Sequence, residues 1–309
     1  MKAIRVHEYG EGASLQYEDA PDPRVAEGEI LVRVKAAGVN PIDLKSVSGF
    51  LGQSLPMTPG WDISGTIESL GPETQTALKP GDDVFAMLPL AGNGGYAEYA
   101  ISSPDHIARK PASLDHVHAA AVPLAGLTAL KMIEVSGTAF GARILVLGAT
   151  GGVGSFAVQI AKIRDAEVIG GAEAPGHEFV RSLGADSVVV PLLEGAAQLE
   201  SVDAILDTVG DELQGWAWSL LKPEGTMISI RGDPLATRPS SVTANGARVF
   251  VEPNGAELTA LAGLIDQGKI TVPIDAVYPL SEAADAHNRL RERGRRGKIV
   301  LEVSHSTST

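Results

Sequence analysis

The chain contains no cysteine among its 309 residues. Disulfide bonds, thiolate metal ligands and cysteine nucleophiles are therefore excluded, and cysteine usage says nothing about the cell compartment. No run of about 18 apolar residues occurs, so we expect no membrane-spanning helix. The first residues, MKAIRV, enter a strand pattern and lack the apolar core of a signal peptide. We therefore expect a cytoplasmic protein.

Aromatic residues are scarce, at 5% of the chain, and 25 basic residues are outnumbered by 38 acidic ones. The resulting formal net charge of −13 argues against nucleic acid or an anionic membrane as the main partner. Small and apolar residues are abundant, with 35 glycines and an apolar fraction of 44%. This composition supports buried cores and is typical of α/β chains with many tight turns.

Groups that would support metal or hydrolase chemistry are also missing. A catalytic zinc ion needs about three cysteine, histidine or carboxylate ligands. The seven histidines form no ligand cluster apart from the pair His116 and His118, which we interpret as surface residues. No serine lies in a Gly-x-Ser-x-Gly turn, so a hydrolase has no support.

The hydrophobic pattern changes twice along the chain. Short strands with regular turn residues fill the first part, where Ile30, Val32 and Val34 alternate with polar residues, and they predict a barrel or sandwich. Residues 117–135 read as helical, with Pro123 and Gly126 bending or breaking the helix.

From residue 143 onward, compact apolar strands such as RILVL (143–147) alternate with helices, which predicts a doubly wound parallel sheet. Residues 242–251 could form an edge strand of that sheet, although a strand buried within it is the simpler interpretation. Residues 298–303 form a last strand that we expect to rejoin the earlier sheet, and the tail 304–309 is predicted to be disordered.

The glycine-rich segment GATGGVG (148–154) lies between the buried strand at 143–147 and a predicted helix. Glycine allows the backbone to turn tightly and to approach a pyrophosphate without a clashing Cβ. The helix that follows directs free N–H groups and its positive dipole end at the phosphates. Its position between strand and helix therefore predicts a dinucleotide-binding turn.

The second strand of the parallel sheet ends near Gly171 and is followed by Glu173. An acidic residue about 20 positions past the glycine turn usually binds the ribose hydroxyls of NAD and repels the 2′-phosphate of NADP. His177 and Arg181 lie nearby and could instead face that phosphate. The residues alone leave the choice of cofactor balanced.

Asn40 follows the strand that ends near residue 36 and lies in the segment VNPIDLK (39–45). Its amide can donate and accept hydrogen bonds, so it could position the nicotinamide ribose or a substrate carbonyl. Alternatively, Asn40 and Asp43 cap the helix that follows, and we expect this role of Asp43. Lys45 would ordinarily be a surface charge, but it is a candidate proton donor if it faces the cleft.

Eight segments in order resemble the zinc-free quinone oxidoreductase (zeta-crystallin-like) branch of the medium-chain dehydrogenase/reductase superfamily. They span nearly the whole chain: AAGVNPID (36–43), PGWDISG (59–65), GGYAEY (94–99), AVPLAGLTA (121–129), GATGGVG (148–154), LGAD (183–186), DTVG (207–210) and RGKIVL (296–301). The resemblance implies a GroES-like β-barrel catalytic domain (1–118 and 258–309) and a Rossmann domain (119–257), with the active site between them. It also implies zinc-independent hydride transfer to a quinone or an α,β-unsaturated carbonyl, with NADPH as the commoner donor, and homodimers formed through the edge of the dinucleotide sheet.

Carried over by position, the resemblance places Asn40 and Thr128 at the nicotinamide and Gly151, Gly152 and Val153 at the pyrophosphate. The other implied cofactor contacts are Ala149, Thr150, Gly171, Glu173, His177, Val209, Ile230, Arg231, Phe250, Val251 and Lys298. In zinc-bearing relatives a cysteine ligand lies near the position of Asn40. This chain also departs from NADPH-using relatives, which tend to have a small hydroxyl residue in place of Glu173 and often a lysine near position 177. These departures put NADPH preference in question and leave NADH possible.

Two other functions fit parts of the pattern. A dinucleotide-binding redox sensor or interaction protein with little turnover would carry the same glycine turn. An alcohol dehydrogenase would also carry it, but the lack of metal ligands disfavours that class.

Overall fold

A computed structural model describes residues 1–10, 14–192, 199–210 and 212–305. The chain forms one mainly antiparallel sheet, one parallel sheet and a two-stranded antiparallel ribbon. The ribbon pairs β1 (Lys2–Arg5) with β2 (Gln16–Asp19).

The mainly antiparallel sheet is built from both ends of the chain. Its strand order is β14 (Ile274–Pro279), β15 (Lys298–Glu302), β3 (Ile30–Val39), β4 (Asp62–Leu70), β5 (Asp83–Met87) and β7 (Ile107–Arg109), with β6 (Tyr99–Ser102) also pairing with β3. The alternation predicted for β3 is confirmed, because Ile30, Val32 and Val34 are fully buried. The predicted return of the last strand is also confirmed, since β15 lies between β14 and β3.

The parallel sheet has six strands. Its order is β10 (Ser187–Val189), β9 (Glu167–Gly171), β8 (Arg143–Leu147), β11 (Val202–Asp207), β12 (Leu221–Ser229) and β13 (Asn245–Arg248). The apolar run of β8 is buried from Ile144 to Leu147, as expected for a strand covered on both faces. The predicted fold class, a GroES-like barrel domain with a doubly wound parallel-sheet domain, is confirmed.

Eight α-helices accompany the sheets in the described part of the chain. They are α1 (Pro41–Val47), α2 (His116–Ala120), α3 (Pro123–Val135), α4 (Gly152–Ile163), α5 (His177–Ser182), α6 (Glu212–Ala217), α7 (Gly255–Asp266) and α8 (Ala283–Arg291). Helices α3 and α4 pack on each other, and α7 packs against both α3 and β7. Helix α7 therefore contacts both helix α3 and strand β7 of the mainly antiparallel sheet.

Three local expectations need correction. Pro123 does separate two helices, but Gly126 lies inside α3, where a Cβ would come within 3.1 Å of Leu261. Strand β13 is the last strand of the parallel sheet rather than a buried one, because it pairs only with β12 among the described strands. In the tail, His305 Nε2 lies 2.7 Å from the carbonyl oxygen of Val34, so this residue is placed, and residues 306–309 lie outside the described part.

Candidate active site

The glycine turn connects β8 to α4, and its backbone leaves no room for a Cβ at Gly148 or Gly154. Gly148 has a φ of +73°, and a Cβ there would lie 2.4 Å from Thr208 Oγ1. A Cβ on Gly154 would lie 2.2 Å from the carbonyl oxygen of Gly148. Helix α4 begins at Gly152, so its first free N–H group comes from a residue without a side chain. These residues fit the pyrophosphate of a dinucleotide.

The ends of the neighbouring parallel strands surround this turn. The backbone N–H groups of Gly148 and Ala149 both donate to the carbonyl oxygen of Gly171 at 3.1 Å, which fixes the turn to the end of β9. On the other side, a Cβ on Gly148 would lie 2.9 Å from Val209 Cγ2, after the end of β11. Asp207 Oδ1 accepts from the backbone N–H of Val209 at 3.0 Å. The sheet topology therefore brings Ala149, Gly171 and Val209 together, and their contacts with a cofactor stay predictions.

The loop after β9 carries the residues relevant to cofactor choice. Glu173 is exposed, and His177 is half-buried with its Nε2 3.2 Å from the carbonyl oxygen of Ala172. The guanidinium of Arg296, from the other end of the chain, donates to the carbonyl oxygen of Pro175 at 2.5 Å. The carboxylate of Glu173 therefore lies in the same loop that the guanidinium of Arg296 contacts, and the sequence did not predict that Arg296 reaches this loop.

Lys298 lies where the two parts of the molecule meet. The N–H of Gly297 donates to the carbonyl oxygen of Thr150 at 2.8 Å, which attaches the start of β15 to the glycine turn. A Cβ on Gly152 would lie 2.7 Å from Lys298 Cδ, so the lysine stem packs against the first turn of α4. The structure thus places the stem of Lys298 beside the glycine turn, and its contact with cofactor or substrate stays a prediction.

The ammonium of Lys298 enters a buried polar network with Asn40 and Asp62, whose exposed fractions are 4%, 2% and 0%. Lys298 Nζ donates to Asn40 Oδ1, to the carbonyl oxygen of Val39 at 3.2 Å and to Asp62 Oδ2 at 3.4 Å. Asn40 Nδ2 donates to Asp62 Oδ2 at 2.9 Å, and the N–H of Leu124 donates to Asp62 Oδ1 at 2.7 Å. Burial raises the pKa of the Asp62 carboxyl, and the ammonium of Lys298 opposes that rise.

A second buried network lies beneath Asn40. Asp43 Oδ2 accepts from the backbone N–H of Asn40 at 2.7 Å, so the predicted capping role of Asp43 at the start of α1 is confirmed. The same oxygen accepts from Tyr96 Oη at 2.6 Å, and His287 Nε2 lies 3.4 Å from that hydroxyl. Burial raises the pKa of Asp43 to about 7 and lowers the pKa of His287 to about 4. Asp43 thus holds the backbone of Asn40, and Tyr96 in turn holds the carboxylate of Asp43.

The remaining predicted site residues lie apart from these networks. Lys45 is exposed, with its ammonium 5.4 Å from the centre of the Phe50 ring, and hydrogen bonds in the described chain do not join it to Asn40. Thr128 is buried in α3, whereas Phe250 is 68% exposed and lies under the guanidinium of Arg248 at 4.3 Å. The other members of the predicted set are the partly buried Val153, Ile230 and Val251 and the exposed Arg231. Their roles stay predictions.

The sequence interpretation assigned no role to Asp62, Thr208 or Arg296. Asp62 and Lys298 are 236 residues apart along the chain, so no local spacing could have shown that they form a pair. The only signal was an acidic residue directly after Trp61, at the start of a strand with apolar neighbours. An acidic residue at the start of an apolar strand suggests that a partner of opposite charge is buried beside it.

Two kinds of feature are absent from the described residues. Groups of three or more histidine, aspartate or glutamate side chains that could hold a metal ion do not occur in that part of the chain. Within the same residues, no helix has the length and apolar character needed to cross a bilayer.

The fold and the glycine turn define the class of protein as a two-domain, dinucleotide-binding oxidoreductase. Two family models match the chain: the alcohol dehydrogenase GroES-like domain over residues 26–112 and the zinc-binding dehydrogenase over residues 183–301. A chloroplast envelope quinone oxidoreductase homolog of Arabidopsis thaliana is 33% identical over 98% of both chains. A 2-methylene-furan-3-one reductase of Solanum lycopersicum is 32% identical over 97% of this chain and 79% of the relative.

Solved structures agree with these matches. The quinone oxidoreductase from Coxiella burnetii superimposes with a TM-score of 0.92 at 31% identity, over 98% of this chain and 99% of the other. A mycobacterial protein complexed with NADPH superimposes with a TM-score of 0.86 at 29% identity, over the same shares of the two chains. The chain belongs to the medium-chain dehydrogenase/reductase superfamily, in its quinone oxidoreductase branch.

Proposed function

We propose that this chain is an NADPH-dependent reductase that transfers hydride to a quinone or to an alkene conjugated to a carbonyl. The observation that carries the proposal is the junction at Lys298, where the glycine turn meets the buried pair Asn40 and Asp62. The quinone oxidoreductase and enone reductase named among the relatives support this substrate class.

The chain's own residues bind and orient the reactants. The glycine turn and the start of α4 hold the pyrophosphate through backbone N–H groups and the helix dipole. When bound there, a reduced nicotinamide would supply a hydride for an electron-poor carbon of the substrate. Asn40, which the resemblance places at the nicotinamide, would donate an N–H to the substrate oxygen on which negative charge develops. Catalysis then depends on orientation in a dry cleft, and water supplies the final proton.

The cofactor preference is proposed from the loop after β9. Arg296 reaches this loop and His177 lies in it, so two groups that can carry positive charge are available for a 2′-phosphate. Glu173 opposes them. A related structure holds NADPH, which supports NADPH as the donor and leaves NADH as the weaker one.

We propose further that the reaction is zinc-independent. The chain has no cysteine, and the network around Asn40 consists of an amide, an ammonium and a carboxylate that bond to one another. This donor set suits hydrogen bonding better than metal ligation, since an ammonium cannot be a ligand. A homodimer and a cytoplasmic location complete the proposal.

The direct test is cofactor oxidation, followed by ultraviolet absorbance, with 1,4-naphthoquinone and with a simple enone as separate acceptors. We expect turnover with at least one acceptor, faster with NADPH than with NADH, and unchanged after treatment with a metal chelator. Tight cofactor binding without turnover on either acceptor would overturn the reductase and favour a redox sensor.

A further inference from the structure

The side-chain amide of Asn40 is held in one orientation by two unlike neighbours. Lys298 Nζ donates to its oxygen, and its nitrogen donates to Asp62 Oδ2 at 2.9 Å. An ammonium can only donate and a carboxylate can only accept, so turning the amide over would set donor against donor. The second hydrogen of Asn40 Nδ2 has no acceptor among the described residues. A donor that the protein does not use is therefore present at this position.

The geometry requires Asp62 to act as a carboxylate. Its three neighbours, the Leu124 N–H, Asn40 Nδ2 and Lys298 Nζ, are all hydrogen-bond donors. A protonated carboxyl would have no acceptor for its hydrogen in the described surroundings. Asp62 is also fixed in place, because the backbone of Leu124 holds one oxygen and Gly38 packs against its Cβ.

The ammonium acts on the same amide from the other side. Lys298 Nζ has three hydrogens and three acceptors, namely Val39 O, Asn40 Oδ1 and Asp62 Oδ2. No hydrogen is left for a direct bond to substrate, so the ammonium of Lys298 can influence a substrate hydrogen bond only by way of Asn40. A cation on the oxygen of an amide polarises it and strengthens its N–H as a donor.

We propose that Asp62 is a positioning residue of the reductase. It fixes the amide of Asn40 so that the free N–H, and not the carbonyl oxygen, is offered to the substrate oxygen, and it balances the buried charge of Lys298. This inference rests on the proposed reductase function and adds a residue to it.

The substitution Asp62→Asn replaces an acceptor of this network by a donor. The Leu124 N–H still needs an acceptor, so the new amide oxygen takes the place of Oδ1 and the new NH₂ takes the place of Oδ2. That NH₂ then faces Asn40 Nδ2 and Lys298 Nζ, which are both donors. Turning the Asn40 amide over relieves the first conflict but directs its nitrogen at the ammonium. No orientation satisfies every group.

The double variant Asn40→Asp/Asp62→Asn exchanges amide and carboxylate and restores the hydrogen bonds from Leu124 to position 62, between positions 62 and 40, and from Lys298 to position 40. Only the contact of Lys298 Nζ with position 62, 3.4 Å in the wild type, is lost. The carboxylate at position 40 accepts from Lys298 and from the NH₂ at position 62, and the total charge is unchanged. The carboxylate has no N–H to donate to a substrate. The double variant thus separates the structural role of the network from its role in the reaction.

The experiment measures the melting temperature, the NADPH dissociation constant and kcat with naphthoquinone for wild type, both variants and the control Asp19→Asn. Asp19 is an exposed aspartate paired with Lys2, so the same chemical change there should leave all three values unchanged. We expect Asp62→Asn to melt earlier and to lose kcat by about 100-fold, the order found when one positioned donor is removed. The double variant should recover most of the melting temperature and of the NADPH affinity without recovering kcat.

Recovery of both stability and kcat in the double variant would show a purely structural role and overturn the inference. Unchanged kcat in Asp62→Asn would overturn it too. If Asp62→Asn yields no folded protein, the comparison of the double variant with wild type decides, because kcat near wild type again contradicts the proposal. A wild-type protein without turnover overturns the proposed function itself, and the positioning role falls with it.

Discussion

At the scale of single residues, cofactor choice depends on Glu173. Its carboxylate is exposed on the loop where Arg296 meets Pro175, so it can accept from a ribose 2′-hydroxyl and repels a 2′-phosphate. We predict that Glu173→Ser tightens NADPH binding by about tenfold, a change of about 1.4 kcal/mol, and leaves NADH binding nearly unchanged. Fluorescence titration of both cofactors checks this. Glu178→Ser, on the adjacent helix, is the control, and an unchanged NADPH-to-NADH ratio in Glu173→Ser would reject the role.

The buried carboxyl of Asp43 predicts a pH dependence of stability. Burial raises its pKa from 3.8 to about 7, so the folded protein holds this proton more tightly than the unfolded chain. The contribution of this group to stability is therefore complete below the unfolded pKa and is lost as the pH rises towards the folded one.

We predict that the stability of wild type relative to Asp43→Asn falls as the pH rises from about 5.5 to about 7.5, by at most about 1.4 kcal/mol per pH unit. Urea unfolding of both proteins at several pH values measures this difference. Asp19→Asn serves as the exposed control. Parallel pH curves for wild type and Asp43→Asn would show that Asp43 does not titrate in this range.

At the scale of elements, the shape of the glycine turn depends on the close approach of the backbone at Gly154 to the backbone at Gly148. A Cβ at Gly154 would lie 2.2 Å from the carbonyl oxygen of Gly148, so the turn must open to accept alanine. We predict that Gly154→Ala weakens NADPH binding by about tenfold or more, since the N–H groups at the start of α4 move away from the pyrophosphate. Titration with NADPH measures the effect.

The control for this variant is Gly263→Ala. Gly263 lies in α7, and a Cβ there meets nothing within 4 Å. Alanine at this position should leave NADPH binding unchanged and stabilise the protein by about 0.5–1 kcal/mol, because helix interiors favour alanine over glycine. Equal NADPH affinity in the two variants would contradict the close approach at Gly154.

Strands and helices could be predicted where the residues of the segment itself show a clear hydrophobic pattern. Strand β8 has the predicted bounds, since its four consecutive apolar residues, Ile144 to Leu147, are typical of a strand buried on both faces. Strands β2 and β7 were not predicted, because they have only four and three residues. The six-residue strand β14 was not predicted either, and the structure defines it by its pairing with β15. Gly126 was expected to break α3, but the helix accommodates it because the absent Cβ lets Leu261 of α7 pack closely.

At the scale of the whole molecule, the parallel sheet ends in β13, whose outer edge is unpaired in the described chain. The N–H of Val249 donates to the carbonyl oxygen of Ser229 in β12. Because successive N–H groups of a strand point to opposite sides, the N–H of Arg248 points away from β12, towards the unpaired edge. An exposed edge of this kind is suited to pairing with a second copy of the chain.

We predict that wild type has twice the chain mass of 32.1 kDa in light scattering after gel filtration. Arg248→Pro removes the outward N–H and should give monomers, whereas Arg248→Ala removes the same side chain, keeps the N–H and should stay dimeric. A monomeric wild type, or dimers from both variants, would contradict pairing through this edge.

The sequence by itself determined the glycine turn, the two kinds of sheet and the family, because these depend on residue types at fixed local spacings. The tertiary structure alone decided how the turn is connected to the chemistry. Lys298, Asn40 and Asp62 come from three distant segments, and they meet because β15 returns to β3 and places its first residue against α4. Buried charge must find its partner in space, and no pattern along the chain specifies that partner.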